Sequence, residues 1–93
     1  MTEGEKTDLT NIGYEVTREH SRARAIHGPM HSLHEGYAVL KEEVDEFWDL
    51  VKMNRTKMSD LELSIHMSKI REELLQVSAM AQRLIMDVVD RKP

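Results

Sequence analysis

The chain of 93 residues contains no cysteine, so neither a disulfide framework nor a thiolate zinc site can be built from it. It has one Trp, one Phe, two Tyr, two Pro and four Gly, and this poverty in aromatics and turn formers favours helix over sheet. No apolar run approaches the roughly 20 residues that a membrane span needs, and no signal-peptide core follows the N-terminus. A cytoplasmic location is therefore the simplest expectation, with no membrane partner. A surplus of positive charge is also missing: the formal net charge is −4, which argues against a nucleic-acid backbone as the main partner. Basic residues form only small groups, at Arg18, Arg22, Arg24 and at Lys52, Arg55, Lys57.

What the chain has in quantity is Met, Leu, Glu and Lys. Its length suits one domain, and a chain this short buries only about 60–65% of its unfolded surface, so its own core is marginal. Small helical domains often meet that deficit by oligomerising. The seven Met residues read as fillers of core and interface gaps.

Hydrophobic spacing divides the chain into three helices. Residues 1–6 are polar, include Gly4, and read as a flexible N-terminus, leaving 7–91 as a single helical domain. Leu9, Ile12, Val16, Ala23 and Ile26 follow helical spacing, with Thr7 or Asp8 as a cap and Gly28-Pro29 as the stop. Ser32-Leu33-His34-Glu35 fits a capping box, after which Leu33, Tyr37, Leu40, Val44, Phe47 and Val51 form a stripe expected to face a partner helix. Asn54 to Lys57 is the turn, and Ser59-Asp60-Leu61-Glu62 is a second capping box. Leu63, Met67, Ile70, Leu74, Val77, Ala81, Leu84 and Val88 then carry the third helix almost to the end. Leu75, Ala79, Met80, Ile85 and Met86 lie off that stripe, and a helix apolar on several faces is buried on several faces. Three helices offer too few neighbours to cover it. The expected architecture is an all-α bundle of three main helices per chain, completed as a homodimer or homotetramer.

Five acids fall between positions 42 and 49: Glu42, Glu43, Asp45, Glu46 and Asp49. On a helical wheel Glu42, Glu46 and Asp49 point roughly opposite the apolar stripe, and Glu43 lies on the flank. A solvated face is the ordinary fate of such a run. Val39, Leu50 and Met53, however, fall close to Glu42 and Glu46 on the same wheel, and an acidic face rimmed by apolar side chains suits an opposing helix better than water. Glu42 and Glu46 are adjacent on that face, and their repulsion calls for a cation or a basic partner. The third helix offers Glu73 and Gln76, three apart at the border of its apolar stripe. Oxygen ligands facing one another from two helices suit Mg²⁺ or Mn²⁺.

Glu42-Glu43-Val44-Asp45-Glu46, followed on the next helix by Glu73-Leu74-Leu75-Gln76, resembles the signature of the MazG-like proteins. These are all-α nucleoside triphosphate pyrophosphohydrolases with small representatives in phages and bacteria. The flanks are similar too: His34-Glu35-Gly36-Tyr37-Ala38-Val39-Leu40 before the acids and Val77-Ser78-Ala79-Met80-Ala81 after them, so the resemblance spans roughly Glu15 to Val89. It implies a Mg²⁺-dependent cut between the α- and β-phosphates of a nucleotide substrate, in the host cytoplasm if the chain is phage-encoded. By position Glu42, Glu46 and Glu73 would be metal ligands and Glu43 the base for the attacking water. Lys52, Arg55 or Lys57 would meet the outer phosphates, although a solvated turn explains them as well. The family's final aspartate is Gln76 here; its oxygen can coordinate Mg²⁺ but brings no negative charge, so metal affinity should fall.

Other residues carry less. His27, His31 and His34 have zinc-like spacing, but Gly28-Pro29 breaks the helix and no fourth ligand follows. Glu62 and His66 are four apart, not the three of a di-iron bundle. Trp48 and Tyr37 have rings able to stack on a base, a role rarer than packing. Glu19 stands where the first helix should present an apolar residue. The rival functions are a non-catalytic helical interaction or nucleotide-binding module, which Gln76 favours, and an architectural nucleic-acid binder, which would lose affinity steeply with salt.

Overall fold

The computed structural model describes residues 1–92. Three helices follow in chain order, α1 (Glu3–His27), α2 (Leu33–Val51) and α3 (Asp60–Leu84), and α3 runs on into a π-helical turn, Ile85–Val89. There is no strand among the described residues. The all-helical, three-helix expectation holds.

Each helix starts where a side chain satisfies its orphan N–H groups. α1 begins earlier than its apolar spacing indicates. The Thr2 hydroxyl accepts from Glu5 N–H, and the Glu5 carboxylate accepts from Thr2 N–H in return, so residues 3–6 are helical. α2 has half of its expected box: Ser32 Oγ accepts from Glu35 N–H, while the Glu35 carboxylate accepts from His31 N–H at 3.0 Å. The Ser59–Glu62 box of α3 is complete. α1 ends at Gly28, whose φ of 72° is a left-handed conformation that the missing Cβ permits.

α3 is the hub, packing against both α1 and α2. Its C-terminal end also holds the α1–α2 corner. Arg83 Nη2 donates to the Gly28 carbonyl at 2.9 Å, and buried Asp87 accepts from Met30 N–H at 2.9 Å while facing Arg24 at 3.5 Å. The corner places Met30 in the core beside Ala23, Ala79 and Met80. Gly36 lets α2 lie against α3: a Cβ there would stand 2.9 Å from Cγ of Leu84.

The helices are rotated differently from the expectation set by their apolar stripes. The inward positions of α2 are Gly36, Val39, Leu40, Glu43, Phe47, Leu50 and Val51, while Leu33, Tyr37 and Val44 of the expected stripe are exposed, as is Trp48. The buried line of α3 is studded with polar groups, His66, Arg83 and Asp87, with Glu73 and Gln76 half-buried between them, while Leu63, Met67 and Leu74 face outward. In α1 nothing before Glu15 is covered, so Leu9, Ile12 and Tyr14 are exposed. The molecule is extended, 52 × 34 × 23 Å with a radius of gyration of 15.6 Å. A chain of this length compacts to about 12 Å when it folds as a closed domain. The accessible surface is 7022 Å². A folded monomer of this mass exposes about 5,500 Å². Among the described residues no helix is long and apolar enough to cross a membrane.

Candidate metal and phosphate site

Because α2 turns Glu43 inward and α3 carries Glu73 on its packed face, the two acids meet across the α2–α3 seam. Glu46, one turn beyond Glu43, joins them from the solvent side. The three carboxylates offer oxygens that lie within 4.8 Å of one another. Of the residues expected at a metal site, Glu46 and Glu73 are therefore brought together, and with them Glu43, the expected base.

Glu42 is not part of this group. It is exposed and borders a neighbouring cavity with Glu35, because the rotation that buries Glu43 carries the preceding residue about 100° away. Gln76 borders the cleft, and its Nε2 donates to Glu19 Oε1 on α1 at 2.6 Å.

The electrostatics of the group are those of like charges held close. Burial first, and then the facing carboxyls of Glu43 and Glu46, push the Glu73 carboxyl up to about 8. Glu73 Oε1 is closed off from solvent and has no hydrogen-bond partner. A buried acceptor without a donor is costly, and three acids at this spacing are stable together only with a proton or a cation among them. The donor set is all oxygen, and a hard divalent cation fits it.

The cleft in front of the acids has a volume of about 670 Å³, and Arg22 of α1 and Lys69 of α3 border it together with Asp49 and Glu72. These are the basic side chains beside the acids. Lys52, Arg55 and Lys57, expected to meet phosphates, do not border it: Lys52 pairs with Asp49 at 2.9 Å, and Arg55 and Lys57 are exposed in the α2–α3 connection. Charge spacing along one helix end placed them near the acids in sequence, but the cleft opens across the bundle toward α1. Arg22 also grips Glu19 through its guanidinium. That contact, against the opposing effect of burial, holds the Glu19 carboxyl below the usual carboxylate range. Glu15 accepts from Arg71 Nη1 at 3.0 Å, so two polar ties from α1 to α3 flank the cleft.

Two further hollows adjoin it. One, of about 420 Å³, shares Arg22, Glu43 and Gln76 with the cleft and is also bordered by Glu42 and the buried Arg83. The other, of about 220 Å³, shares Leu50, Met53 and Lys69 and is walled by Met58, Ile65 and buried His66, whose Nε2 is unpartnered. Arg22 and Lys69 escaped the sequence reading as site residues, since only tertiary packing brings them to the acids; Glu19, an acid at a position where the first helix should be apolar, was the one visible signal from α1. Compared with family models, with curated proteins and with solved structures, the chain gives no match.

Proposed function

We propose that the chain is a Mg²⁺- or Mn²⁺-dependent nucleoside triphosphate pyrophosphohydrolase of the MazG-like kind, converting NTP or dNTP to the monophosphate and pyrophosphate. The observation that carries the reading is the meeting of Glu43, Glu46 and Glu73 from two helices in a cleft edged by Arg22 and Lys69. Carboxylates alone repel a triphosphate, so a site that joins acids to basic side chains suits a polyanion that arrives with a divalent cation. The resemblance of the Glu42–Glu46 and Glu73–Gln76 segments to the MazG-like signature supports the same reaction.

Glu46 and Glu73, with Glu43 beside them, would hold the cation, which when bound offsets phosphate charge and orients the phosphates. Arg22 and Lys69 take the outer phosphate oxygens, where their charges offset the developing charge on the leaving pyrophosphate. Glu43 borders both the acid cleft and the hollow behind it, and it accepts the proton of the water that attacks the α-phosphorus. The α–β anhydride bond breaks as the new P–O bond forms. The apolar hollow beyond Leu50 and Met53 is the seat for the base.

The site works within an assembly of copies. The excess of roughly 1,500 Å² over the surface of a closed monomer of this size falls within the roughly 1,000–2,500 Å² that each subunit loses in an obligate homodimer interface. The exposed stripes of α1, α2 and α3 are where a second copy docks, giving a homodimer or homotetramer. The functional test is pyrophosphate release from a panel of ribo- and deoxyribonucleoside triphosphates with Mg²⁺, with Mn²⁺ and with chelator. Chelator-sensitive release that Glu43→Gln abolishes is expected; silence across the panel with metal bound would replace the enzyme by a nucleotide-binding module.

A further inference from the structure

We infer that Glu19 of α1 is a positioning residue for the cation site: it orients the Gln76 side chain so that the amide oxygen, not the amide nitrogen, faces the acids. The inference rests on the cation reading of the Glu43–Glu46–Glu73 group.

Gln76 lies one turn beyond Glu73 on the same face of α3 and borders both cavities that Glu43 borders. A neutral amide is ambivalent there. Turned one way it offers a cation an oxygen; turned the other way it offers two N–H donors and repels it. The contact with Glu19 removes the ambiguity. An ionised carboxylate only accepts, so the amide atom 2.6 Å from Glu19 Oε1 is the nitrogen, and the oxygen points away from α1. Glu19 is itself fixed by Arg22, so the chain Arg22–Glu19–Gln76 ends on a side chain that lines the same cleft as the acids. The same hydrogen bond polarises the amide and adds negative character to its oxygen. In this way α1 contributes a charge that α2 and α3 do not supply. An acid directly at position 76 would not need it.

That last point gives the test. Mn²⁺ is titrated calorimetrically into the full chain, wild type and three variants: Glu19→Gln, Gln76→Glu and the double substitution. Circular dichroism confirms that each keeps its helix content. In the wild-type background Glu19→Gln should weaken Mn²⁺ binding about tenfold, the loss usual when a group orienting a metal ligand is removed. In the Gln76→Glu background the same substitution should leave binding unchanged or tighten it, because Glu19 then only repels the new acid. Unchanged affinity of Glu19→Gln in the wild-type background would overturn the inference, as would an equal loss in both backgrounds, the signature of general loosening. Absence of Mn²⁺ binding from all four proteins would overturn the cation reading itself, and the inference with it.

Discussion

Replacing Glu73 by Gln isolates an acid that burial and the facing carboxyls of Glu43 and Glu46 push up to about 8. Glutamine copies the shape and neutrality of the protonated acid but cannot ionise. In the unfolded chain Glu73 titrates at its ordinary value of 4.5, and in the folded chain at about 8. Between those values the unfolded state has released a proton that the folded state keeps, so the unfolded state binds fewer protons and stability falls as pH rises. The slope is at most about 1.4 kcal/mol per pH unit. Water at the open mouth of the cleft screens part of the effect, leaving on the order of 2–3 kcal/mol across the window. For a chain of this size that is about 10–15 °C in melting temperature. A divalent cation held by the ionised acids would reverse the loss, so its stabilisation should grow from pH 5 to pH 8. The assay is thermal melting followed by circular dichroism at pH 5, 6.5 and 8, with Mn²⁺ or chelator, at one protein concentration. Wild type and Glu73→Gln should match at pH 5. At pH 8 with chelator the variant should be the more stable protein, and it should gain less from Mn²⁺. The two chains differ at this one position, so the difference between their profiles reports Glu73. Parallel pH profiles for the two chains would refute the reasoning.

Gly36→Ala gains about 1 kcal/mol of helix propensity but drives a methyl into Leu84, at a cost of about 1–3 kcal/mol; urea melts should show a net loss that Leu84→Ala in the same chain relieves. Asp87→Ala leaves Met30 N–H without an acceptor in the core and should lower stability by about 1–3 kcal/mol in the same assay. Arg22→Ala and Lys69→Ala should each raise KM for a triphosphate at least fivefold, a loss of about 1 kcal/mol or more, whereas alanine at Lys52, Arg55 or Lys57 should change it less than twofold. Light scattering should report a dimer or tetramer, and Ser at Leu9, Ile12 and Tyr14 together should shift it toward monomer at micromolar concentration; a wild-type monomer would contradict the assembly.

How far the fold was legible from residues alone depended on the range of the signal. Gly28-Pro29 as a stop and Ser59 with Glu62 as a start are local chemistry, and both stand in the structure. The same kind of cue was present at Thr2 and Glu5, hidden by the polar, glycine-containing company it keeps. The rotation of the helices was not legible, because hydrophobic periodicity marks the most apolar stripe and not the stripe that packs within the subunit. Gly36 belongs to the packed face of α2 yet adds nothing to a hydrophobic pattern. The packed face of α3 and its π-helical turn holds His66, Glu73, Gln76, Arg83 and Asp87, polar residues that add nothing to a hydrophobic pattern and find their place only opposite Glu43, Gly28 and Met30. Glu43, Glu46 and Glu73 were visible as candidates because acids on two helices need a reason to coexist. The exchange of places between Glu42 and Glu43 follows from that one rotation of α2.

The dependence of α1 and α2 on α3 has a consequence for how the chain emerges during synthesis. Translation delivers domains from the N-terminal side first. Here the two early helices have little to pack on until the last one arrives, and the ties at Arg83 and Asp87 that set their corner come near position 90. Assembly therefore runs against the order of translation. Until then α1 and α2 persist as separate segments held by their own caps, with Leu9, Tyr37 and Trp48 open to any passing apolar surface. An interruption of translation before the codon for Asp60 leaves a nascent chain that has made Glu43 and Glu46 but not the helix that brings Glu73 to them.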